Sequence, residues 1–226
     1  MRPCSGPATV AAMRIVLFGA SGMIGQAVVR EALHDPDIVE IVSVVRRAGD
    51  VTDPKLREIV HADFADFTAI ADRLAAADAC LFCLGVSSAG MTEPAYRHVT
   101  YDVTLAAAKV LARPTLTFVY ITGVGTDGKA MWARVKKATE DALLALPFKA
   151  AYMIRPGYIQ PRHGVKSRTP WTRRMYSALG WMYPLVRVLT KHAIGSDELA
   201  RAMLRVAKQG APANVLYSRD LRAMLA

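Results

Sequence analysis

A chain of 226 residues, 53% hydrophobic and 21% charged, carries enough apolar material for one cored domain with at most a small appended lobe, which excludes a globally disordered protein. Its net charge of +10 would attract anionic partners such as nucleotide phosphates, acidic lipid or nucleic acid. No zinc-finger, helix-turn-helix or RNA-binding signature accompanies that charge, so nucleic acid is set aside.

Residues 1–12 lack a long apolar core and read as a poorly ordered extension, with Met13 as an alternative start and no secretory signal. Next comes the stretch on which the rest is organised, Ile15-Val-Leu-Phe-Gly19-Ala-Ser21-Gly22-Met23-Ile24-Gly25. Four apolar residues run into a three-glycine turn, and an apolar-periodic segment follows. This pattern describes a buried parallel strand that turns sharply into a helix whose N-terminus faces a ligand. One glycine makes the turn, the second lets an anionic group approach the backbone, and the third lets helix and strand pack closely. The orphan N–H groups and the dipole of the helix then favour a pyrophosphate.

Val39 to Val45 reads as the second strand and ends in Arg46-Arg47, and a short third strand, Glu58 to His61, leads into Ala62-Asp63-Phe64. NAD-selective folds place an acid at the end of the second strand, on the ribose 2′-hydroxyl. Two guanidinium groups there instead suit a 2′-phosphate, so NADP(H) is expected, with NAD(H) the less favoured cofactor. Asp63 suits either the adenine amino group or a turn cap. Asp66 to Leu74 is a short helix, and Asp78 to Leu84 a fourth strand whose exit loop, Gly85-Val86-Ser87-Ser88, borders the ligand crevice.

The three cysteines, Cys4, Cys80 and Cys83, make no disulfide framework. The C-x-x-C pair lies in an apolar run with no second ligand pair, so buried strand thiols are expected rather than a metal or redox site, in a reducing cytoplasm. Thr92-Glu93-Pro94 opens a long helix with a side-chain cap, and Pro114 ends it. Leu116 to Thr122 is the fifth strand, Lys129 to Leu146 a helix, and Ala150 to Arg155 the sixth strand, which meets Pro156-Gly157. Such alternation predicts an α/β fold with a doubly wound, Rossmann-type parallel sheet flanked by helices.

Between Arg155 and His192 there are eight Lys or Arg and no acid, together with Trp171, Tyr176, Trp181 and Tyr183. Residues 157–195 are expected to form a small C-terminal substrate lobe or lid on a single domain spanning 13–226. The apolar run 176–189 is too short and interrupted to cross a membrane, although 165–191 suits a pocket cover, a dimer contact or an anionic membrane surface. A helix from Ser196 to about Lys208, a strand near Val215 to Tyr217 and a terminal helix close the chain.

Taken together, Gly19-Ala-Ser-Gly22-Met-Ile-Gly25, Val45-Arg46-Arg47, His61-Ala-Asp63-Phe64, Phe82-Cys-Leu-Gly85, Thr122-Gly-Val-Gly125, Lys136 and Arg155-Pro156-Gly157 resemble the atypical short-chain dehydrogenase/reductases, the branch with NmrA-like and Tat-interacting-protein-like members. The resemblance covers roughly residues 13–160. It implies cofactor contacts from Gly19, Ser21, Gly22, Met23, Ile24, Gly25, Arg46, Arg47, Asp63, Phe64, Gly85, Val86, Lys136, Pro156 and Gly157. It also implies oxidoreductase chemistry on a small carbonyl-type substrate, with Lys136 on the nicotinamide ribose.

The family places a catalytic Tyr four residues before that lysine, and this chain has Trp132. The spacing keeps both side chains on one helix face, but indole N–H has no accessible ionisation and does not serve as a general acid. Gly123 stands where the family has its serine, which leaves Thr122 as the nearest catalytic hydroxyl. Trp132 either walls the nicotinamide pocket, fills the core, or marks a displaced alignment in which Tyr158 or Tyr101 supplies the proton. Lys136 is alternatively half of an ion pair with Glu140. Two functional classes follow: an NADP-dependent oxidoreductase with a modified site, or a non-catalytic NADP(H)-binding sensor or scaffold.

Overall fold

The computed structural model describes residues 12–165 and 193–226. Nearly all of the N-terminal extension, and most of the lobe expected over 157–195 with its membrane-surface reading, lie outside the described residues.

The first strand, β1 (Met13–Phe18), is buried throughout Ile15 to Phe18, as a central parallel strand covered on both faces must be. Helix α1 (Met23–His34), β2 (Ile38–Val45), β3 (Leu56–Val60), α2 (Ala71–Leu74) and β4 (Ala79–Phe82) follow. Then come α3 (Glu93–Arg97), α4 (Val103–Leu111), β5 (Thr117–Ile121), α5 (Met131–Leu144) and β6 (Ala150–Arg155). Short β7 (Ile159–Gln160) and β8 (Ile194–Gly195) pair in parallel, and α6 (Ser196–Gln209), β9 (Val215–Tyr217) and α7 (Ser218–Leu225) complete the described chain.

Seven parallel strands form one sheet in the order β3-β2-β1-β4-β5-β6-β9. The order reverses between β1 and β4, and ligands of such sheets bind at the carboxyl ends of the strands beside that reversal. Helices α1, α6 and α7 cover one face through Val28, Ala32, Leu199, Met203 and Leu221. Leu74, Ala107, Leu111 and Leu143, from α2, α4 and α5, cover the other. This is the doubly wound arrangement that the alternation of strands and helices predicts.

Two local expectations are corrected. The long helix after Thr92 is not uniform: a π-helical turn, His98–Asp102, separates α3 from α4, and the Thr104 hydroxyl donates to the Thr100 carbonyl at 2.6 Å. Thr92 makes no side-chain cap. Its carbonyl accepts the Tyr96 N–H at 3.0 Å, and the adjacent Glu93 instead reaches Arg134 at 2.7 Å. Helix α6 starts at Ser196 as expected, with Gly195 as its N-cap: the Gly195 N–H donates to Glu198 Oε2 at 2.9 Å, while the Ser196 hydroxyl accepts the Arg162 N–H at 3.0 Å.

Cys80 and Cys83 are free thiols at the end of β4. Burial pushes the Cys83 thiol up to about 12 and holds Cys80 well above the ordinary thiol range. Iodoacetamide at pH 7.5 should therefore label both at least about a hundredfold more slowly in the native protein than after unfolding, followed by peptide mass spectrometry. Equal rates at Cys83 would show that its thiol is open to solvent.

Candidate functional site

The glycine turn is built by close approach. Gly19 adopts φ +85°, and a Cβ there would lie 2.6 Å from the Leu84 nitrogen and 2.7 Å from the Cys83 carbonyl carbon. The Cys83 N–H donates to the Phe18 carbonyl at 2.9 Å, so β1 and β4 stay paired up to the turn. The Gly22 N–H closes the turn on the Gly19 carbonyl at 2.9 Å. At Gly25 a Cβ would run into the Gly19 carbonyl oxygen, which accounts for the third glycine. Gly22 is the extended N-cap of α1 and supplies no side-chain cap, so the first-turn amides of Met23, Ile24 and Gly25 have no intrahelical acceptor. An uncapped helix start at the sheet's reversal point fits a dinucleotide pyrophosphate. Ser21 is exposed beside it, with its carbonyl holding the Gln26 side chain at 2.9 Å.

At the far end of β2, Arg46 and Arg47 are exposed. The loop that carries them is tied down by Gly49 N–H, which donates to Glu58 Oε2 on β3 at 2.8 Å. Asp63 Oδ1 accepts the Ala65 N–H at 2.8 Å, so this carboxylate caps its own turn. Half-buried Phe64 stacks edge-on against Phe67 at 5.3 Å, and Phe67 in turn meets Phe18 at 5.3 Å, so an aromatic column joins the Asp63 turn to the glycine turn. Gly85 and Val86 lie exposed on the β4 exit loop, with nothing packed on Gly85.

The segments after β5 and β6 lie at the same carboxyl edge of the sheet, beyond β4 from the glycine turn. Thr122 is buried; its N–H and its hydroxyl both donate to the Ile154 carbonyl, at 2.8 and 3.2 Å. The Lys136 ammonium, on α5, donates to the Thr122 carbonyl at 2.8 Å. Burial lowers its pKa to about 8 against the opposing pull of Glu140. Trp132, one turn earlier on α5, sets its six-membered ring against Gly125: a Cβ on Gly125, which has φ +90°, would lie 3.3 Å from that ring. The Val124 N–H donates to the Pro156 carbonyl at 3.0 Å, and the Gly157 N–H to the Ser218 hydroxyl at 3.1 Å. Trp132, Lys136, Thr122, Pro156 and Gly157 thus converge on one corner, with the glycine turn two strands away across β4.

Neither tyrosine considered as a substitute proton source is placed simply to act as one. The Tyr158 hydroxyl donates to Gln160 Oε1 at 2.8 Å, and Tyr101 lies under the Arg97 guanidinium at 4.0 Å. The Lys136–Glu140 ion pair does not form. Glu140 is instead gripped by Arg155, at 3.0 Å through Nε and 2.5 Å through Nη2. The same guanidinium reaches Asp127 at 2.5 and 3.1 Å and the Tyr217 hydroxyl at 3.1 Å. The roles of Asp127, Glu140 and Tyr217 were not visible in the sequence. A hint lay in Asp127 alone, the one acid in the glycine-rich loop 123–128.

Two hollows among the described residues, of about 390 and 350 Å³, lie around the C-terminal half of α6 and its contacts with α1 and α7, and neither touches the glycine turn. No helix among the described residues is long and apolar enough to cross a membrane.

Residues 19–156 match the model of a family described as NAD(P)H-binding. The Candida albicans protein named "Protein FMP52, mitochondrial" is 22% identical over 195 residues, covering 81% of this chain and 85% of that protein. Among solved structures, a thiolation-reductase di-domain from an archaeal non-ribosomal peptide synthetase superposes with a TM-score of 0.68 at 14% identity, over 92% of this chain and 71% of that one. A short chain dehydrogenase/reductase family oxidoreductase from Burkholderia thailandensis does so with 0.63 at 18% identity, over 87% and 86%. At such identities both likenesses speak for the fold. The curated relatives overturn the cytoplasmic expectation, because those of Candida albicans, Neurospora crassa and Aspergillus terreus are named mitochondrial. Free thiols indicate reducing surroundings and do not separate one reducing compartment from another. With more than half of its length matched, the chain belongs to the NAD(P)H-binding family of Rossmann-type domains, as its motif resemblance to the atypical short-chain dehydrogenase/reductases implied.

Proposed function

We propose that the protein is an NADP(H)-dependent oxidoreductase acting on a small carbonyl-type substrate, with a site modified by Trp132. The observation that carries this reading is the Lys136 ammonium, desolvated and held on the Thr122 carbonyl beyond the carboxyl end of β5, two strands from the uncapped glycine turn after β1. Gly19, Gly22 and Gly25, with the amides of Met23 and Ile24, would hold the pyrophosphate. Arg46 and Arg47 would hold the 2′-phosphate, and Asp63, Phe64, Gly85 and Val86 would border the adenosine half. Lys136, Pro156 and Gly157 would meet the nicotinamide half. The bound cofactor would supply a hydride, and the protein's part is to hold substrate and cofactor in line and exclude water.

A second reading, a non-catalytic NADP(H) sensor, is favoured by Trp132 alone, since an indole in the tyrosine position keeps the wall of the pocket and loses its acid. The two are separated by measuring NADPH oxidation with a panel of aldehydes, ketones and quinones on the natural protein and on Trp132→Tyr. Turnover by the natural protein supports the enzyme; turnover by Trp132→Tyr alone supports the sensor.

Cofactor choice has its own test. Arg46→Ala with Arg47→Ala should weaken NADPH binding by roughly ten- to hundredfold and leave NADH binding unchanged, read by cofactor fluorescence titration at fixed ionic strength. Equal affinity of the natural protein for the two cofactors would sink the NADP assignment.

A further inference from the structure

We infer that Lys136 is itself the acid of this site, the group that protonates the carbonyl oxygen of the substrate, and not merely a ribose-binding side chain. The inference rests on the oxidoreductase reading above and deepens it.

Three hydroxyl groups near the reaction corner donate to protein acceptors. Thr122 Oγ1 donates to the Ile154 carbonyl at 3.2 Å, Thr126 Oγ1 to the Gly123 carbonyl at 2.7 Å, and the Tyr158 hydroxyl to Gln160 at 2.8 Å. Trp132 has taken the place from which a phenol would work, and its indole has no proton to give and recover. The Lys136 ammonium has three N–H donors and spends one on the Thr122 carbonyl. An ion pair with Glu140 would have held the ammonium in its charged form and made it a weaker acid. That carboxylate is instead held by Arg155 at 2.5 Å, so Glu140 is not bonded to the amine.

The surrounding charges support the same assignment. Glu140 on its own helix acts on Lys136 and favours the charged form; Arg155 on β6 neutralises Glu140 and also binds Asp127 of the loop after β5. Tyr120 on β5 is buried and stays protonated. Burial outweighs the residual pull of Glu140 and leaves the ammonium near 8, where a lysine can both give and regain a proton at working pH.

The step balances. A bound reduced nicotinamide cofactor would supply the hydride, with its two electrons, to the carbonyl carbon and would be oxidised in doing so. The π pair of the C=O bond moves to oxygen, and one Nζ–H bond breaks to give that oxygen its proton. The neutral amine is reprotonated from water. The alcohol is the reduced product.

The test uses the full-length protein with NADPH, para-nitrobenzaldehyde and phenanthrenequinone as probes, and one readout independent of turnover. Pulsed acetylation followed by peptide mass spectrometry should show Lys136 titrating near pH 8, well below the ordinary lysine range. The kcat for carbonyl reduction should fall as pH rises through that same midpoint. Lys136→Arg keeps a charge but no releasable proton, and should lose roughly 10²- to 10⁴-fold in kcat while NADPH affinity changes little. In Lys136→Ala, added primary amines should restore turnover in proportion to their acidity, which a purely structural lysine would not allow. Wild-type turnover in Lys136→Arg with an unchanged pH profile, or Lys136 titrating above pH 10, overturns the proposal alone. NADPH bound but never oxidised by the natural protein overturns the oxidoreductase reading, and this proposal with it.

Discussion

Gly19→Ala is expected to abolish NADPH binding and lower the melting temperature by about 6–12 °C, the equivalent of about 3 kcal/mol in a chain of this size. Two costs add. An L-residue at φ +85° is strained by about 1–2 kcal/mol. The new Cβ also meets the Leu84 nitrogen at 2.6 Å and the Cys83 carbonyl oxygen at 2.8 Å. Those are backbone atoms at the exit of β4 and have no rotamer to escape into, so β1 and β4 must part where Cys83 N–H bonds Phe18. Gly22→Ala separates binding from folding. Gly22 is extended at φ −81°, and its Cβ would meet only the Gly19 carbonyl oxygen, at 3.3 Å. Its melting temperature should stay within about 2 °C, while the methyl group obstructs an anion over the turn. Thermal melts with and without NADPH read both effects. An unshifted melt for Gly19→Ala, or NADPH stabilisation of Gly22→Ala equal to that of the natural protein, would remove the turn from the cofactor site.

The contrast between these glycines and the opposite corner shows what was legible in the chain. A strand, a turn and a helix start are local, so Ile15 to Gly25 reveals them through spacing alone. The parallel strands were equally visible, because burial on both faces leaves continuous apolar runs such as Ala79–Phe82 and Thr117–Ile121. The family motifs by themselves group Lys136, Trp132 and Thr122. What stayed hidden depends on long-range competition for a partner. Glu140 stands four residues after Lys136 and reads as its counter-ion, yet Arg155, fifteen residues further on, takes it because β6 brings a planar guanidinium alongside both carboxylate oxygens. Likewise Thr92 suits a cap in isolation, but its helix satisfies the turn through backbone and carries a π-helical turn that no periodicity announces.

Arg155→Met should be the most destabilising change at this site, by about 3–5 kcal/mol, and it should also move the pH profile of turnover. The side chains of Arg155 and Glu140 are only 5% and 2% exposed, so removing the guanidinium strands a carboxylate in a buried setting. Replacing both residues, as Arg155→Met with Glu140→Met, should recover a large part of the loss, because the double change removes the unpaired charge as well as the pair. Asp127→Asn provides the internal control: Asp127 is 62% exposed, so its bond to the same guanidinium should contribute less than about 1 kcal/mol. Chemical denaturation of Arg155→Met, Glu140→Met and the double variant closes the cycle, with Asp127→Asn measured alongside. If Arg155→Met alone costs no more than the double replacement, the buried pair is not what holds α5 to β6. The functional consequence has a definite sign. With Arg155 gone, the Glu140 carboxylate is no longer neutralised and acts more strongly on Lys136 one helical turn away, and a nearby carboxylate favours the ammonium form. The fall in turnover with rising pH should then shift upward from about 8, whereas in Arg155→Met with Glu140→Met it should not. The distance from Arg155 to Glu140 thus has two effects: it fastens a helix to a strand, and it keeps the lysine beside Trp132 acidic enough to part with a proton.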